Sequence, residues 1–395
     1  MIYCVGDNPI ELQRKEREEY IPRFLSMVFN ELKHVLDHFQ YRGTYAGVEE
    51  LQSGNINATY RLSYTENGKP VSYVLQKINT VAFQDPVGLM KNIEAVIGHI
   101  AAAMEKKGMD PERHLLRFIP TDNGSLLYHD KNDAYWRSYV FIDNATAYDR
   151  IENPRHFYEA GRGFGEFQKY LIDFPADTLT ETIPGFHNTK KRFFDFVNAV
   201  SADRAGRVAG LEAEIDFFFD RRKMMNRIVD LIGAGRLPLR VTHNDTKLNN
   251  VLLDNTTGKA LCVIDLDTVM PGSPLYDYGD AIRYGANRAA EDEPDLSRIS
   301  LDMELFKAFT EGFISETAGT LTDEELQFLP LGVEVLTCEL AMRFLTDYLN
   351  GDEYFKIKYP DHNLVRARAQ MQLLRDIEEK YEDMCRYIQA LISTL

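Results

Sequence analysis

VTHNDTKLNNVLLDNTTGKALCVID, residues 241–265, carries four polar residues whose spacing decides the fold. His243-x-Asp245-x-x-x-x-Asn250 precedes the apolar run 251–253, a polar turn at 255–258 and a second apolar run at 260–264, which ends on Asp265. Two short apolar runs about a glycine-containing turn predict a β-hairpin. A hairpin returns the chain to its starting end. Asp245 and Asn250 stand before the first strand and Asp265 after the second, so all three are expected to converge at one place.

Two carboxylates and an amide oxygen at one point form the set that phosphoryl transfer needs, because there the protein mainly positions reactants and holds metal ions. One carboxylate takes the proton of an acceptor hydroxyl; the other, with the amide oxygen, gives hard oxygen ligands to Mg²⁺. The assignment is Asp245 as base, Asn250 and Asp265 as metal ligands, and His243 as a support of the loop. The plainer alternatives are a polar turn, in which Asn and Asp bond their own backbone, or a helix cap. Four such residues at this spacing on a hairpin favour the chemistry.

The segment resembles the kinase-like aminoglycoside phosphotransferase family, which uses H-x-D-x-x-x-x-N followed by I-D near the metal. It departs from protein kinases. Asn244 replaces their arginine, Asp265-Leu266-Asp267 stands where D-F-G would, and no A-P-E follows. Within the family, HNDTKLNN, VIDLDTVMPGSPLYDYGDAIRYGA, RFLTDYLNGDEYFK and, more loosely, IPGFHNTKKRF are similar to the N-acetylhexosamine 1-kinases. The resemblance covers nearly the whole chain. It implies ATP and Mg²⁺ as cofactors, N-acetylglucosamine or N-acetylgalactosamine phosphorylated at the anomeric hydroxyl, and sugar contacts at Arg343 and Tyr354.

Those two positions also have a reading of their own. Arg343 lies among Leu340, Phe344 and Leu345, so its guanidinium needs acceptors. A sugar or a carboxylate such as Asp347 supplies them. Tyr354 follows a turn at Asn350-Gly351 and offers either a stacking face or a core ring. Asp277, in the run 275–280, is expected to hold the catalytic loop through backbone hydrogen bonds.

Working outward, the sequence predicts an α+β, bilobal, protein-kinase-like fold. A small antiparallel-sheet lobe for nucleotide spans 1–143, and a mainly helical lobe for catalysis and substrate spans 144–395. Apolar residues at three- and four-residue steps predict a helix over 11–40. Alternation predicts strands at 46–52, 60–64 and 71–78, the last two joined by Asn67-Gly68. A helix over 86–107 and strands at 125–129 and 134–142 complete the first lobe, and 143–146 is expected to link the two. Helices follow at 154–172, 189–200, 211–233, 301–317, 323–349 and 363–393. Gly161 and Gly165 suit close helix packing.

For the nucleotide, Ser53-Gly54-Asn55 is expected to bend over the phosphates and offer backbone N–H groups. Lys77 and Glu94 are the expected strand-lysine and helix-glutamate pair, with Gln76 as the alternative phosphate-facing residue. Adenine is expected to bond backbone groups near Phe141–Asp143. The chain has no G-x-x-x-x-G-K-[ST], and Gly161-x-Gly163-x-Gly165 lies within a helix, so neither a P-loop nor a dinucleotide fingerprint applies.

The chain has 395 residues and a net charge of −16, which argues against a duplex-binding surface. Its four cysteines are scattered without a C-x-x-C pair, which excludes a zinc framework and fits a reducing compartment. No signal segment or membrane span is expected, and the localisation expected is cytoplasmic. The expected partners are ATP and a small sugar, with no nucleic acid, membrane or protein partner. A kinase of another small alcohol (an aminoglycoside, choline or another sugar) is the first alternative. A silent pseudokinase is the second, and the intact Asp245, Asn250 and Asp265 count against it.

Overall fold

The computed structural model describes residues 32–51, 56–151 and 153–394. The chain divides into two compact units, Met1–Met90 with Leu116–Asp143, and Lys91–Leu115 with Asn144–Leu395.

In the first unit, β1 (Thr44–Leu51), β2 (Ala58–Glu66), β3 (Lys69–Ile78), β4 (Tyr128–His129) and β5 (Tyr135–Val140) form one antiparallel sheet in the order β1-β2-β3-β5-β4. The β2–β3 turn has positive φ at both Asn67 and Gly68, the backbone that an Asn-Gly hairpin turn requires. Leu62, Tyr64, Tyr73, Leu75 and Trp136 are buried with Leu32, Val35, Leu36 and Phe39, of which 32–36 are helical. The remainder of the helix expected over 11–40 lies largely outside the described residues. β4 is shorter than expected. Ser125 instead closes a turn with Thr121, and its hydroxyl bonds the Leu127 carbonyl, side-chain bonding that competes with a strand ladder.

The helix Pro86–Lys106 crosses the division between the units. Its length and apolar content would suit a bilayer, yet Leu89, Ile93, Val96, Ile100 and Met104 are buried as in a core helix. Residues 91–115, expected in the first lobe, belong to the second unit because their polar side chains are satisfied there. The Asn92 amide donates to the carbonyls of Thr180 (2.7 Å) and Val269 (3.0 Å), and accepts from the Thr180 N–H. Arg113 pairs with Asp254 at 3.1 Å.

In the second unit, β6 (Ala145–Thr146), β7 (Arg240–Thr242), β8 (Val251–Asp254), β9 (Ala260–Val263) and β10 (Met270–Gly272) form two small sheets, β6-β8-β9 and β7-β10. The expected hairpin is β8–β9. Part of the segment expected as a linker instead supplies β6 to its edge. The helices Pro154–Tyr170 and Met303–Thr317 pack backbone to backbone. A Cβ on Gly161 would lie 2.3 Å from the Phe309 carbonyl oxygen, and one on Gly312 would lie 2.0 Å from that of Tyr158. The helix expected over 211–233 is two, Glu212–Met225 and Arg227–Gly233, meeting at Asn226. That over 323–349 is also two, Asp323–Gln327 and Leu329–Asn350. Pro330 explains the second break, since proline cannot donate to the preceding turn but fits the first turn of a new helix. The final helix is His362–Ile392.

Candidate active site

The loop between β7 and β8 carries the His243–Asn250 motif, and the helix Pro274–Gly285 clamps it. Asp277, 1 % exposed, takes the backbone N–H of His243 on Oδ2 (2.9 Å) and that of Asn244 on Oδ1 (2.8 Å). Gln168 adds a third donor to Oδ2 at 2.8 Å, and Thr246 Oγ1 bonds the Asp277 carbonyl at 2.6 Å. Burial pushes the Asp277 carboxyl above the ordinary range, and His243 with the N–H donors offsets only part of that.

His243 is fully buried and its ring bonds the loop in two directions. Nε2 lies 2.9 Å from the Ile264 carbonyl oxygen, which only accepts, so Nε2 carries the hydrogen; Nδ1 then accepts the Asp245 N–H at 3.3 Å. Asn244 is left-handed (φ 63°), and its amide bonds the Thr268 carbonyl at 2.8 Å. At the position where protein kinases carry arginine, this chain therefore has a buried scaffold residue.

Asp245 faces two residues of its own loop. Lys247 Nζ lies 2.7 Å from Oδ1, and Asn250 Nδ2 donates to Oδ2 at 3.0 Å and to the Asp245 carbonyl at 2.7 Å. Burial lowers the affinity of Lys247 for its proton, but Asp245, Asp280 and Asp265 outweigh this and hold the ammonium above its ordinary value. Three carboxylates thus lie within electrostatic reach of one lysine. The sequence reading missed Lys247, although its place two residues after Asp245 was a visible signal.

The Ile264 N–H donates to the Asn250 carbonyl at 2.9 Å, so the hairpin ends tie Asp265 to the loop. Asp265 is itself left-handed (φ 59°), a conformation that aspartate tolerates better than most residues. With the Asn250 amide nitrogen engaged by Asp245, its oxygen remains for a cation. An amide oxygen and a carboxylate fit Mg²⁺, which completes its shell with phosphate oxygens and water. Among the described residues no three or more His, Cys, Asp or Glu side chains group as a metal cluster.

Arg343 is half-buried, and Asp347, the carboxylate that the sequence reading offered it, is engaged elsewhere. Asp347 accepts the N–H groups of Tyr354 (2.8 Å) and Phe355 (2.9 Å) and the Asn363 amide (2.9 Å), folding the loop after Gly351. The Arg343 guanidinium instead lies 5.5 Å from the Phe186 ring centroid and 5.7 Å from that of Tyr354. Tyr354 is 68 % exposed, which excludes a core-packing role. Arg192 stands nearby, its Nε and Nη2 on the Phe186 carbonyl (3.3 and 3.1 Å). Burial lowers its pKa, and the Arg343 charge adds to that.

The expected nucleotide residues lie mostly in the first unit. Ser53, Gly54 and Asn55 fall outside the described residues. Lys77 is exposed, its Nζ 5.7 Å from the Trp136 ring centroid on the strand face of the aromatic core. Strand alternation puts Gln76 on the opposite face, where it accepts from Arg137 Nε at 2.9 Å. Arg137, 3 % exposed, is a buried cation on that face, and nothing local marks it because it is Gln76's cross-strand partner on β5. Glu94 is exposed on its helix. Phe141 lies under the Arg61 guanidinium at 4.3 Å, with Asp143 at 3.9 Å from the same group.

Solved structures share this fold over most of the chain. The microcompartment-associated aminopropanol kinase aligns with a TM-score of 0.60 at 17 % identity, over 90 % of this chain and 98 % of its own. An aminoglycoside phosphotransferase from Alicyclobacillus acidocaldarius gives 0.53 at 13 % identity over 88 % and 93 %. The GDP complex of aminoglycoside 2'-phosphotransferase-IIIa gives 0.54 at 13 % identity over 88 % and 96 %. These likenesses fix a kinase-like α+β fold. The profile of APH, the phosphotransferase enzyme family, matches residues 47–302, and the chain belongs to that family.

Proposed function

We propose that this phosphotransferase moves the γ-phosphoryl group of ATP onto the anomeric hydroxyl of an N-acetylhexosamine, giving the sugar 1-phosphate and ADP. The hydroxyl oxygen bonds the phosphorus as the bond to ADP breaks, and the hydroxyl proton passes to Asp245. Lys247 balances the charge beside that carboxylate. Asn250 and Asp265 would hold Mg²⁺, which neutralises charge on the phosphate oxygens when bound.

The observation carrying the acceptor assignment is Arg343, a half-buried arginine that no carboxylate bonds among the described residues, with the rings of Phe186, Tyr354 and Phe355 5.5–5.7 Å from its guanidinium. Donors flanked by aromatic faces suit a polyhydroxylated ring.

The test is ADP release across free hexoses, N-acetylhexosamines, choline, aminopropanol and aminoglycosides, with Mg²⁺ and with chelator. Turnover on an amino alcohol and none on any N-acetylhexosamine would sink the sugar assignment. In Asp245→Asn the amide keeps the shape but cannot take the proton, and turnover should fall about 10²–10⁴-fold.

A further inference from the structure

We propose that His187, aimed by the buried carboxylate of Glu339, accepts a hydroxyl hydrogen of the acceptor on its Nε2. This rests on the reading of Arg343 and Tyr354 as the acceptor site. Glu339 is 1 % exposed and sits on the helix Leu329–Asn350, one turn before Arg343. Both of its oxygens meet His187 Nδ1, at 3.2 and 3.0 Å. A carboxylate only accepts, so Nδ1 carries the hydrogen. In the neutral ring Nε2 then presents a lone pair, and it bonds none of the described residues.

The surroundings give that lone pair a use. The imidazole has Tyr276 tilted against it (centroids 4.7 Å, 33° between planes) and Phe186 edge-on (4.6 Å, 65°), two contacts that restrict its rotation. Phe186 is also the ring under Arg343, and its carbonyl holds Arg192. On the other side, His187 lies within electrostatic reach of Asp280, whose carboxylate also senses Lys247 beside Asp245. Through Phe186, His187 therefore neighbours the expected acceptor contacts. Arginines offer only donors; a hydroxylated ring also needs an acceptor, and His187 supplies one.

Burial alone would raise the Glu339 carboxyl, but the hydrogen bond from His187 Nδ1 and the charges of Arg343 and Arg192 outweigh it and hold it below the ordinary value. The carboxylate thus stays an acceptor and the tautomer stays fixed. Glu339 is a positioning residue, and His187 is the group that touches the acceptor.

The experiment uses the full chain and whichever acceptor the wild type turns over fastest. His187→Asn places no polar atom where Nε2 stood, whereas His187→Gln does. His187→Asn should raise the acceptor KM about 2- to 12-fold, the value of one neutral hydrogen bond. ATP KM and Tm should hold, and His187→Gln should restore most of the loss. Glu339→Gln lets the ring take either tautomer and should raise the acceptor KM without changing that of ATP. An unchanged acceptor KM in His187→Asn overturns the proposal. So do equal rises in both KM values, or a lowered Tm with no rescue by glutamine, since each marks a structural role. If the wild type prefers an alcohol other than an N-acetylhexosamine, the function proposed above fails on its own, and the His187 variants are scored on that alcohol.

Discussion

Asp277 Oδ1 accepts the backbone N–H of Asn244 at 2.8 Å, so a carboxylate 33 positions away fixes the residue just before Asp245. Replacing it with asparagine turns one acceptor oxygen into a donor and leaves a buried N–H unmet, at a cost of about 1–3 kcal/mol. Asp277→Asn should lower Tm and reduce kcat more than tenfold, with a smaller change in either KM. Thermal unfolding and steady-state kinetics on one preparation check this. Wild-type kcat in the variant would show that the loop keeps its shape without the clamp.

The metal assignment separates two ligands by charge. Asp265→Ala removes a carboxylate and should abolish most of the Mg²⁺-dependent gain in nucleotide affinity. Asn250→Ala removes a neutral ligand and should cost less. It should also reduce kcat, because the Asn250 amide holds Asp245 at 3.0 Å. Titrating nucleotide with and without Mg²⁺ measures both. MgATP affinity equal to wild type in both variants would place the metal on other residues.

Arg343→Ala should lower kcat/KM for the acceptor about ten- to a hundredfold, as loss of a charged hydrogen bond predicts, and leave ATP KM near normal. Tyr354→Phe removes only the hydroxyl, whereas Tyr354→Ala also removes the ring, so a larger loss with alanine identifies stacking. Asp347→Ala should mimic the Tyr354→Ala loss, because the Tyr354 backbone then loses its anchor. Equal losses for ATP and acceptor would assign Arg343 to stability instead.

Glu334 gives a stability test far from catalysis. Burial raises its carboxyl from 4.5 to about 7, Glu378 adds to this, and Arg221 and Arg227 offset part. The folded state therefore keeps a proton that the unfolded chain releases between those values, so stability falls as pH rises from 4.5 to 7. The loss is at most about 3 kcal/mol. Glu334→Gln should flatten that segment of the Tm–pH profile and raise Tm most above pH 7. Parallel profiles for variant and wild type would contradict it.

The sheet, the Asn67-Gly68 turn and the β8–β9 hairpin were legible because each is specified by neighbours in sequence. Asp245 and Asn250 meet within one short loop, and the hairpin returns Asp265 to it through the Ile264 N–H on the Asn250 carbonyl. Features specified across long distances were not legible. β7 and β10 are three residues each, too short for alternation to register. The grouping of residues 91–115 with the second unit has no local sign, because Asn92 finds its partners at Thr180 and Val269. Arg137 depends on strand pairing. The His187–Glu339 pair spans 152 positions, its sole local sign a glutamate inside the apolar run 335–342.

The helix Pro274–Gly285, which bears Asp277, meets the helix Leu329–Asn350, which bears Arg343, through glycine. A Cβ on Gly279 would lie 2.3 Å from the Gly332 carbonyl oxygen, and one on Gly332 would lie 2.2 Å from that of Leu275. Main chain rests directly on main chain there. The interval from the loop that Asp277 clamps to Arg343 is accordingly gauged by peptide groups, whose dimensions no substitution alters. Side chains around Arg343 can be exchanged while the calliper holding Asp245 and Arg343 apart keeps its setting; a methyl group at either glycine would jam it open.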